Sequence, residues 1–132
     1  MIELFKPTRD YVDIDNSFAK HPANGNLTIK RRANSVRQSI LNLLRIRKGD
    51  KPFHPEIYSP IYDYLFELNT VASSALLEKD VISYLTTYEP RLIITSVNIT
   101  HPSPHHLNCE IVGEIINTLE PFNVNLLVDR LR

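Results

Sequence analysis

The sequence predicts an α+β domain in which two or three helices pack on a small antiparallel sheet that ends in a C-terminal β-meander. Apolar residues recur at helical spacing in residues 35–47 and again in residues 70–88. Beyond Pro90 the pattern changes to the period-two alternation of strands, in three successive runs. The chain has 132 residues, enough for one modest core, so we expect residues 1–132 to form a single domain.

The N-terminal segment is weakly patterned, and we expect residues 1–30 to form an arm or a hairpin. Residues 21–26 contain the Asn-Gly step that hairpin turns favour. Residues 27–29 can form a short strand that closes this turn. Residues 11–18 are then either its partner or a loose arm.

The first clear helix is predicted at residues 35–47. Ser35 and Gln38 match a capping box, in which each side chain satisfies a free backbone amide of the other. Apolar residues follow at helical spacing, and Gly49 is a natural stop.

An irregular, proline-rich segment follows at residues 49–60, and its aromatics Phe53 and Tyr58 are expected to anchor it to the core surface. A short helix is predicted at residues 61–67. Thr70 then caps the long helix, because its side chain can accept from a free amide of the first turn.

The long helix meets the sheet at Glu89, Pro90 and Arg91. Proline lacks an amide hydrogen and pushes the residue before it toward an extended conformation, so the helix is predicted to end here. Side chains alternate in an extended chain, which places Glu89, Arg91 and Ile93 in one row, expected to face inward. The charged pair is either an exposed ion pair worth about 0–1 kcal/mol or a half-buried pair that contacts a partner chain.

Three strands are predicted after the junction, and each has one row of side chains expected to face the core. These rows are Ile93, Thr95, Val97 and Ile99; Leu107, Cys109, Ile111, Gly113 and Ile115; and Phe122, Val124, Leu126 and Val128. The connections are short enough for hairpins. The last strand can therefore lie at a sheet edge, whose free amides and carbonyls invite pairing with another chain.

The composition is that of a soluble globular protein, with 42% hydrophobic and 23% charged residues. No apolar run approaches the roughly 20 residues that a membrane-spanning helix needs. The single cysteine, Cys109, excludes an intrachain disulfide and fits a reducing cytoplasm. Its position in an alternating strand predicts a core side chain rather than a reactive thiol.

The residues offer little for catalysis or for a cofactor. The three glycines are far apart, so no phosphate-binding loop is present. His101, His105 and His106 lie in one loop without rigidly held further ligands for zinc, and we interpret them as solvated. The acids Asp63, Glu67 and Glu89 have no spacing that marks a glycosidase pair. We therefore expect no cofactor, no metal site and no catalytic residue.

The net charge of zero conceals one basic stretch, residues 30–51, in which Asp50 is the only acid. Its basic residues are Lys30, Arg31, Arg32, Arg37, Arg45, Arg47, Lys48 and Lys51. Nucleic acid is one possible partner, but interleaved aromatics for base stacking are missing. An acidic protein surface and a solvated helix face are the alternatives, and both are favoured over nucleic acid.

Several short motifs together resemble the contractile-tail baseplate wedge family, which spans T-even phages and the E-type baseplate subunit of type VI secretion systems. They are Arg47-Lys48-Gly49-Asp50-Lys51-Pro52-Phe53, then Pro55, then Leu65-Phe66-Glu67, and then Tyr88-Glu89-Pro90-Arg91. The resemblance extends over residues 31–128. The chain departs from the family pattern at Asp50, where glutamate is more usual, and at Tyr58-Ser59, where an aromatic residue followed by glycine is common.

The resemblance implies a structural subunit of a phage tail baseplate, found in the virion and in the host cytoplasm during assembly. It implies that Glu89, Pro90 and Arg91 lie toward the helical core bundle formed with other wedge proteins. It also implies that tail sheath subunits extend the sheet, for which we predict Asn123, Val124, Asn125 and Leu126 as the pairing strand. Neither nucleic acid nor a membrane is an expected partner. The alternative function is a peptidoglycan-degrading, lysozyme-like enzyme with Glu89 as the acid.

Overall fold

The computed structural model of the protein describes residues 10–116 and 118–129. Its elements are β1 (Val12–Ile14), β2 (Ile29–Arg31), α1 (Ala33–Arg45), α2 (Ile61–Tyr64), α3 (Val71–Tyr88), β3 (Leu92–Ser103), β4 (His106–Ile115) and β5 (Pro121–Asp129). The predicted α+β fold with a C-terminal meander is confirmed. No helix in the described ranges is both long and apolar enough to span a membrane.

The main sheet has three antiparallel strands in the order β3-β4-β5, so β4 is central and the other two strands form the edges. The helices α1 and α3 pack on one face of it, and the opposite face carries mostly polar side chains. The core lies between these two layers. Its fully buried side chains are Val36, Ile40, Leu44, Ile61, Leu77, Val81, Leu85, Leu107, Cys109, Ile111, Ile115 and Phe122.

The predicted inward row of β3 is right for the second half of the strand and wrong for the first. Leu92 is buried, whereas Ile93 is 51% exposed. The pairing register with β4 shifts between Ile94 and Ser96, so the strand bulges at Thr95. A β-bulge inserts one residue and thereby exchanges the two faces of the strand. A period-two pattern cannot show this exchange, because it assumes an unbroken ladder.

The predicted capping box of the first helix is wrong. The helix begins at Ala33, Arg32 is its N-cap, and no side chain caps it. The Ser35 hydroxyl donates to Arg32 O at 2.8 Å from within the first turn. Gln38 instead binds the N-terminal hairpin: its Nε2 donates to Ile14 O at 2.7 Å. A contact with a distant segment has therefore replaced the local cap.

The segment between α1 and α3 is only partly as predicted. Thr70 and Ser73 form a reciprocal capping box at the start of α3, which confirms the Thr70 cap. Of the two predicted anchors, Phe53 is wrong, since this side chain is 92% exposed, whereas Tyr58 is half-buried. Ile57 packs against the core, and the backbone also holds the segment, since Ser59 N donates to Ile46 O at 2.9 Å.

The N-terminal segment forms a hairpin, with β1 and β2 antiparallel and Val12 paired with Arg31. Besides Gln38, Asn42 on α1 holds it: Asn16 Nδ2 donates to Asn42 Oδ1 at 2.6 Å. The hairpin thus packs against α1 through Gln38 and Asn42, and its Asp13 contacts Arg91, just beyond the end of α3.

Candidate functional site

Glu89 ends α3 and is the most deeply buried charged group in the described ranges, with its side chain only 2% exposed. Its backbone amide donates to Leu85 O at 2.7 Å, so it is the C-cap of the helix. Arg91 holds the carboxylate with two parallel bonds, from Nε to Oε1 at 2.6 Å and from Nη2 to Oε2 at 2.9 Å. Bidentate pairing of this kind fixes both side chains and offsets the desolvation of the carboxylate.

Arg91 also joins this pair to the N-terminal hairpin. Its Nη1 donates to Asp13 Oδ2 at 3.2 Å, and its guanidinium carbon lies 5.3 Å from the centroid of the Tyr11 ring. The guanidinium therefore contacts two carboxylates and an aromatic ring at once. With this one side chain, the helix–strand junction and the hairpin form a single charged cluster of Asp13, Glu89 and Arg91.

The electrostatics keep Glu89 and Arg91 ionised. Burial by itself disfavours the charged carboxylate of Glu89, but hydrogen bonds from Arg91 and Ser39 outweigh burial and lower its pKa. Hydrogen bonding to Glu89 raises the pKa of Arg91 against the opposing effect of burial. Neither group exchanges its proton near neutral pH.

The burial and pairing of Glu89 contradict two interpretations of the pair. The interpretation as an exposed ion pair is wrong for Glu89, because this carboxylate is buried and paired with Arg91 of the same chain. It is also unsuited to act as a general acid, since such a group must be protonated and within reach of a substrate. What remains accessible is Pro90, which is exposed, together with part of Arg91, whose side chain is 22% exposed.

The second candidate site is the outer edge of β5. At the hairpin, Ile115 N donates to Glu120 O at 3.2 Å, in the same register that pairs Gly113 with Phe122. Hydrogen-bonded pairs alternate in an antiparallel ladder. The backbones of Phe122, Val124, Leu126 and Val128 therefore bond to β4, while those of Asn123, Asn125 and Leu127 point away from it. Arg37 Nη2, which donates to Asn123 O at 3.3 Å, confirms this direction.

The four predicted pairing residues therefore divide into two classes. Val124 and Leu126 are buried and their backbone groups belong to the ladder with β4. Asn123 and Asn125 are exposed, and their amides and carbonyls point outward. The sequence analysis missed Leu127, whose backbone also points outward and whose side chain is 59% exposed.

The other edge of the sheet, on β3, is covered. Ile99 N donates to the Glu78 carboxylate on α3 at 3.1 Å, so its amide points away from β4 and is already bound. Two residues further, His101 Nε2 lies 3.3 Å from Ser74 Oγ on the same helix. The long helix α3 therefore covers the outer edge of β3 at Ile99 and His101. In the part of the chain that the structure describes, no helix covers the outer edge of β5 in this way beyond Asn123.

The remaining chemistry-bearing residues have structural roles. Burial raises the pKa of the Cys109 thiol to about 12, so it is an unreactive core side chain. His106 Nδ1 lies 2.6 Å from Asp129 Oδ1, which joins β4 to β5. Only Pro104 and His105 separate β3 from β4, so the loop predicted at residues 101–106 is a tight turn. Residues 10–116 and 118–129 contain no group of three or more potential metal ligands.

Three contacts at the candidate sites could not be predicted from the sequence. Asp13 and Tyr11 contact Arg91, and Arg37 contacts β5. Asp13 and Tyr11 lie in the weakly patterned N-terminal segment, where no motif marks them. In the sequence, Arg37 is one of eight basic residues in the stretch 30–51. No local signal in the sequence singles out these residues.

Comparison with known proteins places the chain among tail baseplate components. Residues 30–120 match the family model described as baseplate wedge protein gp25. The matched segment contains Glu89, Pro90 and Arg91 and ends just before β5. A curated relative, baseplate wedge protein gp25 of Enterobacteria phage T4, is 33% identical over 89 residues, which is 67% of this chain and 67% of that protein.

Three solved structures share the fold. A crystal structure of a candidate tail lysozyme from Geobacter sulfurreducens is 22% identical, with a TM-score of 0.68 over 74% of this chain and 90% of that one. A chain of the anti-feeding prophage baseplate is 18% identical, with a TM-score of 0.70 over 82% of this chain and 87% of that one. A chain of the type VI secretion baseplate complex is 15% identical, with a TM-score of 0.60 over 74% of this chain and 93% of that one. At these identities the likeness shows the fold alone.

Proposed function

Since the chain belongs to the baseplate wedge protein gp25 family, and is thus a structural component of a phage tail baseplate, we propose that it also supplies the sheet edge on which the tail sheath begins to assemble. In this proposal a segment of a sheath subunit adds to β5 as a fourth strand. The chain acts in the virion baseplate, after assembly in the host cytoplasm.

The observation that carries the proposal is the outward-pointing backbone of β5. The amides and carbonyls of Asn125 and Leu127 have no partner in the described part of the chain. Such groups pair with an added strand, in which main-chain hydrogen bonds give affinity and the alternating side chains give register. Outward-pointing residues recur every second position, about 7 Å apart, which matches the repeat of an incoming antiparallel or parallel strand.

The difference between the two edges supports β5 rather than β3. Glu78 occupies the Ile99 amide on β3, so an incoming strand there has to displace α3, whose residues Leu77, Val81 and Leu85 are core. Along the outward-pointing backbone of β5, only Asn123 O has a partner among the described residues, namely a guanidinium from α1. A strand can therefore pair with β5 from Asn125 onward without disturbing the core.

We further propose that Pro90 and the exposed part of Arg91 contact other wedge proteins. Relatives in two of the solved structures come from baseplate complexes, which supports assembly with other baseplate proteins. The buried carboxylate of Glu89 then positions Arg91 rather than contacting a partner itself. The proposed role needs no hydrolysis, and release of soluble muropeptides from peptidoglycan by the pure chain would contradict it.

Replacing Asn125 by proline tests the pairing strand. Proline removes the amide hydrogen, and at this position that amide points outward rather than to β4. Complementation with the Asn125→Pro variant should give baseplates that contain the chain but carry no extended sheath in electron micrographs. Asn125→Ala is the matched control, because it removes the same side chain and keeps the amide. A proline variant that folds, enters baseplates and supports normal sheath growth would show that β5 is not the template.

A further inference from the structure

A row of cations lies beside the free edge of β5. We call Arg37, Arg45 and Arg47 the arginine row; all three side chains are exposed. Arg37 reaches over the start of the strand, where its guanidinium carbon lies 5.7 Å from the centroid of the Phe122 ring. Past the middle of the strand, Arg45 and Arg47 line a surface groove of about 410 Å³ together with residues 126–129.

The charges of the arginine row are not balanced within the chain. None of the three guanidinium groups has a carboxylate within ion-pair distance in residues 10–116 and 118–129. Two acids near the row bind other partners, since Asp129, which also lines the groove, contacts His106, and Glu110 accepts from Asn123 Nδ2. The helix α1 contains no acid of its own.

Helix stability accounts for only one member of the row. Arg45 lies in the last turn of α1, where a cation interacts favourably with the negative end of the helix dipole. Arg37 lies in the first half of the helix, where a cation gains nothing from the dipole. Arg47 lies beyond the C-cap Ile46. Its guanidinium carbon lies 5.2 Å from the centroid of the Tyr62 ring, which accounts for its position but leaves its charge without a carboxylate. The three charges thus share one feature, which is that they lie beside the edge of β5.

The spacing of the row fits an extended chain on β5. Arg37 and Arg45 are eight helical residues apart, or about 12 Å along the axis. Arg37 contacts Asn123, and Arg45 lines the groove formed with residues 126–129, which lie three to six strand residues further on, or about 10–20 Å. The helix thus runs alongside the strand. Residues i and i+4 of an added strand point to the same side, so one side chain at each can meet Arg37 and Arg45.

The occupant that fits both features is a polypeptide strand rather than a nucleic acid. Phosphates can neutralise arginines, but they offer no ladder of amides and carbonyls to the outward backbone of Asn125 and Leu127. An extended acidic segment satisfies the backbone edge and the cations together.

We infer that the segment that adds to β5 carries carboxylates about four residues apart on the side facing α1, and that the arginine row binds them. This inference rests on the proposed function, because it specifies the chemistry of the same strand. Charges at the rim of an interface mainly change the association rate and its dependence on salt. The arginine row should therefore accelerate the capture of the strand and select an acidic one.

The test compares two changes in baseplates incubated with sheath subunits purified from the same phage, at 50 and 500 mM NaCl. The first is the triple variant Arg37→Gln, Arg45→Gln and Arg47→Gln. Its matched control, Lys20→Gln, Arg31→Gln and Lys79→Gln, removes three exposed cations away from β5. Sheath initiation, counted in electron micrographs, should slow about 10-fold in the arginine variant at low salt and lose most of its salt dependence. The control should behave as the unaltered chain does.

The second change, Asn125→Pro, separates the inference from the proposed function. One outcome is that Asn125→Pro abolishes initiation while the arginine variant matches its control. In that case β5 pairs with the sheath but the arginine row is merely solvated, so the inference is wrong and the proposed function stands. If Asn125→Pro initiates normally, both fail. Substitution of acids by glutamine in the pairing segment of the sheath subunit should reproduce the arginine variant, and an unchanged rate there also overturns the inference.

Discussion

Replacing Arg91 by methionine tests whether the charged cluster is as buried as the structure shows. Methionine keeps much of the side-chain volume but removes all three hydrogen bonds that Arg91 donates to Glu89 and Asp13. The carboxylate of Glu89, only 2% exposed, is then left without its counter-ion. This is the configuration in which a buried ion pair matters most.

The size of the effect separates a buried pair from a surface pair. Removing one partner of a buried pair costs about 3–5 kcal/mol, whereas an exposed pair contributes about 0–1 kcal/mol. Because Arg91 itself is 22% exposed, water can reach part of the vacated space. We therefore expect a loss near the lower bound, about 3 kcal/mol of the free energy of unfolding at pH 7.

The pH dependence of this loss has a definite sign. In the unaltered protein the pKa of Glu89 is lowered, so its stabilising effect is complete above the unfolded pKa of about 4.3 and is lost as the pH falls through the folded pKa. Without Arg91, burial dominates and raises the pKa of Glu89 above the unfolded value. The variant then gains relative stability as the pH falls from 7 toward 4.3, and the difference between the two proteins shrinks.

Urea unfolding followed by circular dichroism at pH 7, 6, 5 and 4.5 measures this difference directly. The double variant Glu89→Gln, Arg91→Met is the control, because it has no buried carboxylate and should show no such pH dependence relative to Glu89→Gln. Arg31→Met, at an exposed position, reports the cost of the substitution itself. A loss below about 1 kcal/mol that is also constant with pH would refute the buried pair.

Two further predictions concern other parts of the molecule. In Gly113→Ala, the added Cβ would lie 2.3 Å from the backbone carbonyl oxygen of Ile93 beside the bulge, so the two strands must separate. The free energy of unfolding should fall by about 1–3 kcal/mol. An unchanged urea midpoint would show that the bulge adapts without a loss of stability. Pro90→Ala should leave the chain folded but reduce its incorporation into wedge complexes in pull-down assays, since Pro90 is exposed beside the charged cluster. Pro102→Ala, at the far end of β3, is the matched control, and equal incorporation of the two variants would contradict a wedge contact at Pro90.

The long helix and the meander could be predicted because their signals are local. In α3, the spacing of Leu77, Val81 and Leu85 and the cap at Thr70 arise from the helix repeat and its free amides. The alternation in β4 and β5 arises from the pleat, and every predicted inward residue of these two strands is buried. The family resemblance likewise depended on short motifs, such as Glu89, Pro90 and Arg91, which can be recognised without knowing what they contact.

The local patterns failed where a distant contact or an interruption of the ladder intervened. The bulge at Thr95 exchanged the faces of β3, so Ile93 points to solvent against its pattern. Gln38 does not form the predicted capping box, because its side chain donates instead to the carbonyl oxygen of Ile14, 24 residues away. In both cases propensity was overridden by the packing of the whole domain.

The sequence by itself therefore determined the order and type of the main elements, the rows of core residues in β4 and β5, and the family. Only the tertiary structure decided that Glu89 is buried and that α3 covers part of β3. It also decided that the outward backbone of Asn125 and Leu127 on β5 has no partner among the described residues, and that the arginine row lies along this edge. The physical reason is the range of the contacts. Periodicity is set by neighbours within one turn or one pleat, whereas Arg91 meets Asp13 across 78 residues and Arg37 meets Asn123 across 86. Such contacts form only when the helices and the sheet have packed, and they determine which charges are buried and which backbone edge is left for another chain.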